Sequence, residues 1–234
     1  MFGIIGAMDE EISSLRDAIS GREIKKIGPI TFYSGQLSGK PVVLGKSGVG
    51  KINGALSTVL MIENFSPEFI INTGSAGGVG TDQKVGDLIL STTVFQHDIN
   101  VTAFGYLPGQ LPGLPQGFVA EPRLIQLCQK AFETAEAQGA FQGHQLHKGP
   151  IATGDQFMHD PQRIAWVQET FAPLAVEMEA GGVAQTCHSF GVPFVVLRAL
   201  SDIAGSDSPV DFKAFLAYAS ENFTKLVSRI IAEA

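Results

Sequence analysis

Two acidic side chains stand at the ends of strongly apolar runs. Leu174-Ala175-Val176 leads into Glu177-Met178-Glu179, and the run from Pro193 to Leu200 leads into Ser201-Asp202. A helix-length segment separates them. If both runs are strands of one α/β sheet, Glu179 and Asp202 reach the same sheet edge, where ligands of such folds sit. Carboxylates placed there suit acid/base work on a polar small molecule better than plain solvation. A third candidate is Glu11, in Asp9-Glu10-Glu11 after the apolar run Phe2 to Ala7. Acidic residues complement the dipole of a helix N-terminus, and this stretch alone favours that reading for all three. The sharper alternative has Glu11 turning back toward the strand end.

Other motifs carry less. Gly45-Lys46-Ser47-Gly48-Val49-Gly50-Lys51-Ile52 nearly matches a P-loop, but Ile52 stands where a magnesium-binding Ser or Thr belongs. A Gly-rich strand-to-helix turn is the simpler account. Gly74-Ser75-Ala76-Gly77-Gly78 follows another apolar run, and its small residues allow a ligand to approach the backbone. His144 and His147 have ligand-like spacing but no acidic or cysteine partner nearby in sequence, so surface or packing roles are favoured for them and for His97, His159 and His188.

The elements that must position these groups alternate. Apolar positions Ile12, Leu15 and Ile19 predict a helix after the first strand. Residues 24–36 and 41–47 read as strands around the turn 37–40. Residues 51–63 read as a helix with Ile52, Leu56, Val59 and Leu60 on its apolar side. Strands are expected at 69–73, 85–96 and 151–155, and helices at 123–138 and 160–170. A last helix starts at Ser208-Pro209 and runs through Ile231, with Phe212, Phe215, Leu216 and Leu226 inward. Gly181-Gly182 falls inside the helix after Glu179, at about 1 kcal/mol per glycine in a helix interior. The Gly/Pro-rich stretch from His97 to Pro122 is a long loop whose Val101, Phe104, Tyr106 and Leu111 suggest a subunit contact or an apolar ligand wall. Alternating strands and helices make the class α/β.

Composition bounds the partners. The 234 residues are 44% hydrophobic with a net charge of -7, enough for the core of one large domain. No Lys/Arg cluster offers a nucleic-acid footprint. The two cysteines, Cys128 and Cys187, lack metal or redox spacing. No basic leader and no apolar run of membrane-spanning length is present, so a cytoplasmic protein without a membrane partner is expected.

Several stretches coincide with one family. GIIGAMDEE, SGVGKINGA, INTGSAGG, HDINVTAFGY, GQLPG, TGDQF, AVEMEA and VPFVVLRALSD resemble 5'-methylthioadenosine/S-adenosylhomocysteine nucleosidase, of the nucleoside phosphorylase superfamily. The resemblance runs from residue 3 to about residue 230. It implies a single domain over 1–234, a three-layer α/β/α sandwich around a mixed, partly barrel-like sheet, and a homodimer. It implies hydrolysis of the N-glycosidic bond of 5'-alkylthio adenosines, 5'-methylthioadenosine and S-adenosylhomocysteine, to adenine and a thioribose, in methionine and S-adenosylmethionine salvage. Asp202 matches the purine-protonating acid, with Ser201 orienting it. Glu11 matches the glutamate that holds the attacking water, Arg198 the arginine near that water, and Glu179 the glutamate on the ribose hydroxyls. Met178, Phe157 and Met158 match residues holding base and sugar, and Ser75, Ala76 and Gly77 line the site. Met8, Val49, Phe104, Pro112 and Phe212 match the pocket for the 5'-substituent, and Val101 the residue lent by the other subunit. No cofactor and no metal enters this reading.

The chemistry is coherent with those roles. Adenine leaves easily only when protonated, which needs a carboxylic acid beside the base. The ribose becomes oxocarbenium-like, and nearby carboxylates stabilise that charge. Phosphorolysis would need cations, and a carboxylate at position 11 opposes an incoming phosphate. Three rival readings are a phosphate-dependent purine nucleoside phosphorylase, an adenine-nucleoside binding module without catalysis, against which Glu11, Glu179 and Asp202 argue, and a hydrolase of 6-amino-6-deoxyfutalosine, whose leaving base is also adenine.

Overall fold

The structure, a computed structural model, describes residues 1–141, 143–204 and 212–234; the side chains of 212–219 are outside it. Strands β1 (Phe2–Gly6), β2 (Ser20–Ile27), β3 (Ile30–Leu37), β4 (Lys40–Lys46) and β5 (Ile70–Gly78) come first, with helix α1 (Asp9–Ala18) after β1 and α2 (Lys51–Phe65) after β4. Then follow β6 (Leu88–Gln96), β7 (Gly117–Val119), α3 (Pro122–Ala137), β8 (Leu146–Thr153), α4 (Pro161–Phe171), β9 (Ala175–Glu177), α5 (Ala180–Phe190), β10 (Phe194–Ile203) and α6 (Phe212–Glu233).

The sheet is mixed and curls on itself around β5. Strands β5, β10, β6, β8 and β9 pair in succession, and β9 returns to β5, closing a small barrel. From β5 an open wing runs through β1, β4, β3 and β2. The central strands are apolar on both faces: Ile4, Ile5, Ile70, Ile71, Val195, Val196 and Leu197 are completely buried. That is the pattern of parallel strands covered on both sides. Helices α1, α3 and α6 pack as one group and α2 with α5 as another, forming the outer layers. The mixed, partly barrel-like α/β architecture is therefore as expected.

Three local readings change. Residues 24–36 are not one strand: Gly28, at φ 56°, turns the chain between β2 and β3. The glycine before Pro29 is the turn signal. The buried side of α2 is not the bulky one. Gly54, Ser57, Thr58 and Met61 face inward, whereas Ile52 is 80% exposed and Leu56 also faces out. The cause is α5, whose backbone comes so close that a Cβ on Gly182 would lie 1.9 Å from the Lys51 carbonyl oxygen. Gly182 is thus a packing requirement against α2, and Gly181 one against the side chains of Thr153 and Gln96, where an added Cβ would lie 2.3 and 2.9 Å away; both outweigh the helix-propensity cost. Within the long loop, Thr102–Phe104 forms a 3-10 turn and Gly117–Val119 forms β7. In the last helix, Leu226 is buried as expected. The expected start at Ser208-Pro209, and the side chains of Phe212, Phe215 and Leu216, lie outside the described residues.

Candidate active site

A gap in strand pairing creates the cleft. One edge of β5 pairs with β1 as far as Asn72 and with β9 from Gly77 onward. Between these registers β1 and β9 diverge, which is a topological switch point. The backbone there needs another partner, and Glu11 supplies it. Its Oε1 accepts the Ser75 N–H and the Ser75 hydroxyl, both at 2.9 Å. Its Oε2 accepts the N–H groups of Ala7 and Met8 at 3.0 and 3.1 Å. Glu11 is buried, so the helix-dipole reading of this residue gives way. Four donors converge on it because the end of β1 and the opened edge of β5 both leave N–H groups unpaired in the sheet. Asp9 and Glu10 remain exposed at the helix start, as the dipole reading holds.

Behind the cleft lies a buried ion cluster. Arg198 on β10 is completely buried. Its Nη2 donates to Asn72 Oδ1 at 2.8 Å and to Glu177 Oε2, and lies 3.6 Å from Glu179 Oε2. Burial alone would lower the guanidinium pKa, but Glu177, Glu179 and Glu11 outweigh it and hold it above its ordinary value. Glu177 Oε2 also accepts the N–H groups of Glu179 and Ala180, at 3.0 and 2.9 Å, at the start of α5. Glu179 Oε1 accepts the Gly50 N–H at 3.0 Å, so it sits on the N-terminus of α2 as well. Burial first, and then the Glu177 charge, push the Glu179 carboxyl up to about 7. Gly74 is where the groups meet: a Cβ there would lie 2.6 Å from Arg198 Nη1 and 2.9 Å from Glu11 Oε1. Arg198 Nη1 and Glu177 Oε1 are buried without a hydrogen-bond partner among the described residues.

Asp202 enters from the opposite side. The β10–β5 register shifts between Leu200 and Asp202, a bulge that re-aims the side chain at the strand end. Ser201 Oγ donates to Asp202 Oδ1 at 2.6 Å. Asp202 Oδ2 lies near Gly77, where an added Cβ would be 3.4 Å away.

The resulting cleft has a cavity volume of about 210 Å³. Of the residues expected at the site, Met8, Glu11, Val49, Ser75, Ala76, Gly77, Phe157, Met158, Met178, Glu179, Ser201 and Asp202 line it together. Arg198 stands behind them. Val101, Phe104 and Pro112 do not line this chain's cleft, and Phe104 is 82% exposed. Phe212 lies outside the described side chains. Glu177 and Asn72 were not singled out from the sequence. The signal for Glu177 was present, since it directly ends the apolar run of β9.

Among the described residues no three His, Cys, Asp or Glu side chains are grouped so that they could hold a metal ion. His147 Nε2 pairs with buried Asp87 at 2.9 Å, and His144 Nδ1 lies 3.8 Å from the same carboxylate. That acidic partner is sixty positions away and invisible to local spacing. The near P-loop is a strand-to-helix turn whose terminal N–H holds the carboxylate of Glu179.

Comparison with known proteins agrees with this geometry. The family model described as "Phosphorylase superfamily" matches residues 1–232. A 5'-methylthioadenosine/S-adenosylhomocysteine nucleosidase from Anoxybacillus flavithermus is 51% identical over 98% of this chain and 97% of its own. The Neisseria meningitidis nucleosidase of the same name, solved with methylthio-immucillin-A, superposes with a TM-score of 0.93 at 40% identity, covering 100% of this chain and 99% of that one. The Colwellia psychrerythraea nucleosidase, solved with adenine, gives a TM-score of 0.92 at 39% identity, covering 99% of this chain and 94% of that one.

Proposed function

Because this chain belongs to the phosphorylase superfamily, and within it to the 5'-methylthioadenosine/S-adenosylhomocysteine nucleosidases, we propose that its cleft hydrolyses the N-glycosidic bond of those two nucleosides. The products are adenine and a 5-thioribose. One observation carries the choice of water over phosphate. Glu11, Glu177, Glu179 and Asp202 all line the cleft, and no lysine, arginine or histidine is among its described lining residues. The cation behind them, Arg198, is already committed to Glu177 and Glu179. A phosphate dianion would meet like charge, whereas an oxocarbenium-like ribose would meet opposite charge.

In this reading Asp202, oriented by Ser201, gives its proton to N7 of adenine as the glycosidic bond breaks. Glu179 accepts hydrogen bonds from the ribose hydroxyls. Glu11 holds the attacking water, taking its proton while Ser75 and Arg198 fix the position. Glu11 already accepts four hydrogen bonds, so the rotatable Ser75 hydroxyl is the donor that yields to the water. Phe157, Met158 and Met178 pack against the base and sugar, and Ala76 and Gly77 leave room at the strand end.

The 5'-substituent extends past Met8 and Val49 toward a second subunit. Exposed Phe104, Leu107, Ile52 and Phe190 are support for a homodimer, in which Val101, Phe104 and Pro112 complete the neighbour's pocket. The chain acts as one nucleosidase domain in methionine and S-adenosylmethionine salvage. A cytoplasmic setting fits Cys128 and Cys187, which are free, buried and pushed up to about 12 by burial. No described helix is long and apolar enough to cross a membrane.

The test is adenine release from a panel of 5'-substituted adenosines, including 6-amino-6-deoxyfutalosine, with and without phosphate. Phosphate-independent release from the alkylthio substrates is expected. Turnover that requires phosphate would establish the phosphorylase reading instead.

A further inference from the structure

Lys51, the lysine of the near P-loop, has no role in the chemistry above, yet it is held as firmly as a catalytic group. Its Nζ lies 2.5 Å from Asp98 Oδ1 and 3.1 Å from Gln96 Oε1. The Lys51 and Asp98 side chains are each only 15% exposed. Asp98 Oδ2 accepts the Asp155 N–H at 2.9 Å, and Asp155 Oδ1 accepts the Lys51 N–H at 2.8 Å. The three residues therefore close a ring: ammonium to carboxylate, carboxylate to backbone, and carboxylate back to backbone. Burial would raise the Asp98 carboxyl, but Lys51 and the Asp155 N–H outweigh it and hold it below its ordinary range.

Two members of the ring adjoin walls of the cleft, and the third begins the loop proposed to reach the neighbouring subunit's pocket. Lys51 directly follows Val49 and Gly50, and the Gly50 N–H is what holds Glu179. Asp155 directly precedes Gln156, Phe157 and Met158, which line the cleft. Asp98 begins the loop that carries Val101 and Phe104. Gln96 extends the ring to α5, its Nε2 donating to Gln185 Oε1 at 2.8 Å. None of the three touches Asp202, Ser201 or Glu11 by a hydrogen bond among the described residues.

We propose that Asp98, with Lys51 and Asp155, is a positioning residue of the nucleosidase. It clamps the Val49–Gly50 turn, the Phe157–Met158 segment and the base of the Val101 loop into the arrangement that receives the nucleoside. The inference rests on the hydrolase reading above. Because the clamp orders the binding walls and leaves the proton donor and the water site untouched, its loss falls on KM. A misplacement of binding groups by about 1 Å is worth up to about a hundredfold, so at least a tenfold rise in KM is expected.

The experiment is steady-state adenine release from methylthioadenosine by wild type, Asp98→Asn, Lys51→Met, Lys51→Arg and the Lys51→Met/Asp98→Asn double variant. Mass is measured by light scattering on the same samples. Both single charge removals are expected to raise KM about tenfold or more with kcat within about threefold. Lys51→Arg is expected to restore KM, and the double variant to be no worse than the worse single one. Asp155→Ala removes an exposed member of the ring and tests the same KM effect if a charge removal prevents folding. An unmoved KM with a lower melting temperature would reduce the ring to a structural staple and overturn the proposal. So would a KM rise that tracks loss of the dimer mass, or fully additive effects in the double variant. A wild-type protein that releases no adenine would instead refute the hydrolase reading.

Discussion

Replacing Glu177 by glutamine removes the charge that faces Arg198 in the most deeply buried part of the cleft. Glu177 is 7% exposed and Arg198 is 0% exposed. The Glu177 carboxylate accepts from three donors at Oε2: Arg198 Nη2 and the N–H groups of Glu179 and Ala180. The amide keeps the shape and one acceptor, but it leaves the guanidinium with Glu179, at 3.6 Å, as its nearest anion. Breaking a buried pair from one side costs about 3–5 kcal/mol, most of it from the charge left uncompensated. At about 2–4 °C per kcal/mol for a chain of this size, the melting temperature should fall by about 10 °C. A second effect has the opposite sense for Glu179. Its carboxyl is raised by burial and then by Glu177, so the variant should bring it down from about 7. Urea unfolding reads the first effect, and the acidic limb of the pH profile of kcat reads the second. A Glu177→Gln protein within about 1 kcal/mol of wild type, with an unmoved profile, would refute the claim that this pair holds the site together.

Three further outcomes are expected. Since the Glu179 carboxyl is raised from 4.5 to about 7 in the folded protein, the folded state binds the proton more tightly, and stability falls as pH rises across that window and is level outside it. Glu179→Gln should flatten this slope in urea unfolding, and an unchanged slope would contradict the assignment. Gly182→Ala would set its Cβ 1.9 Å from the Lys51 carbonyl oxygen, on backbone that cannot yield without parting α2 from α5. A loss of about 1–3 kcal/mol is expected in thermal unfolding despite alanine's better helix propensity, and a more stable variant would overturn the packing argument. Val101→Asp places an unpaired charge at the proposed subunit contact; light scattering alongside kinetics should show weaker dimers and a higher KM together, and a variant unchanged in both would refute the shared site.

The parts of the site that ride on apolar strands were legible in the sequence. Asp202 and Glu179 follow runs whose burial is obvious from composition, and their elements lie where the pattern placed them. Glu11 was not legible locally, because a carboxylate at a helix start looks the same whether it faces water or turns back. Its decisive partner, Ser75, is sixty-four positions away. The face of α2 was misread for a related reason. Bulky residues normally mark the core, but α2 packs backbone to backbone on α5 at Gly182, so Gly54, Ser57 and Thr58 are inside and Ile52 is outside. The glycine pair was visible, yet its meaning depended on a neighbour supplied by the fold. Lys51, Asp98 and Asp155 likewise come from three distant segments, and Asp87 meets His147 only when β6 and β8 pair.

The central claim is that Asp202 delivers the proton that lets adenine leave. It is tested most directly by single-turnover adenine release from methylthioadenosine by Asp202→Asn in phosphate-free buffer, with substrate binding measured on the same protein. The expected result is retained binding with the rate reduced by about 10²–10⁴-fold, the usual contribution of general acid catalysis. A folded Asp202→Asn protein that binds substrate and releases adenine at a near wild-type rate would contradict it.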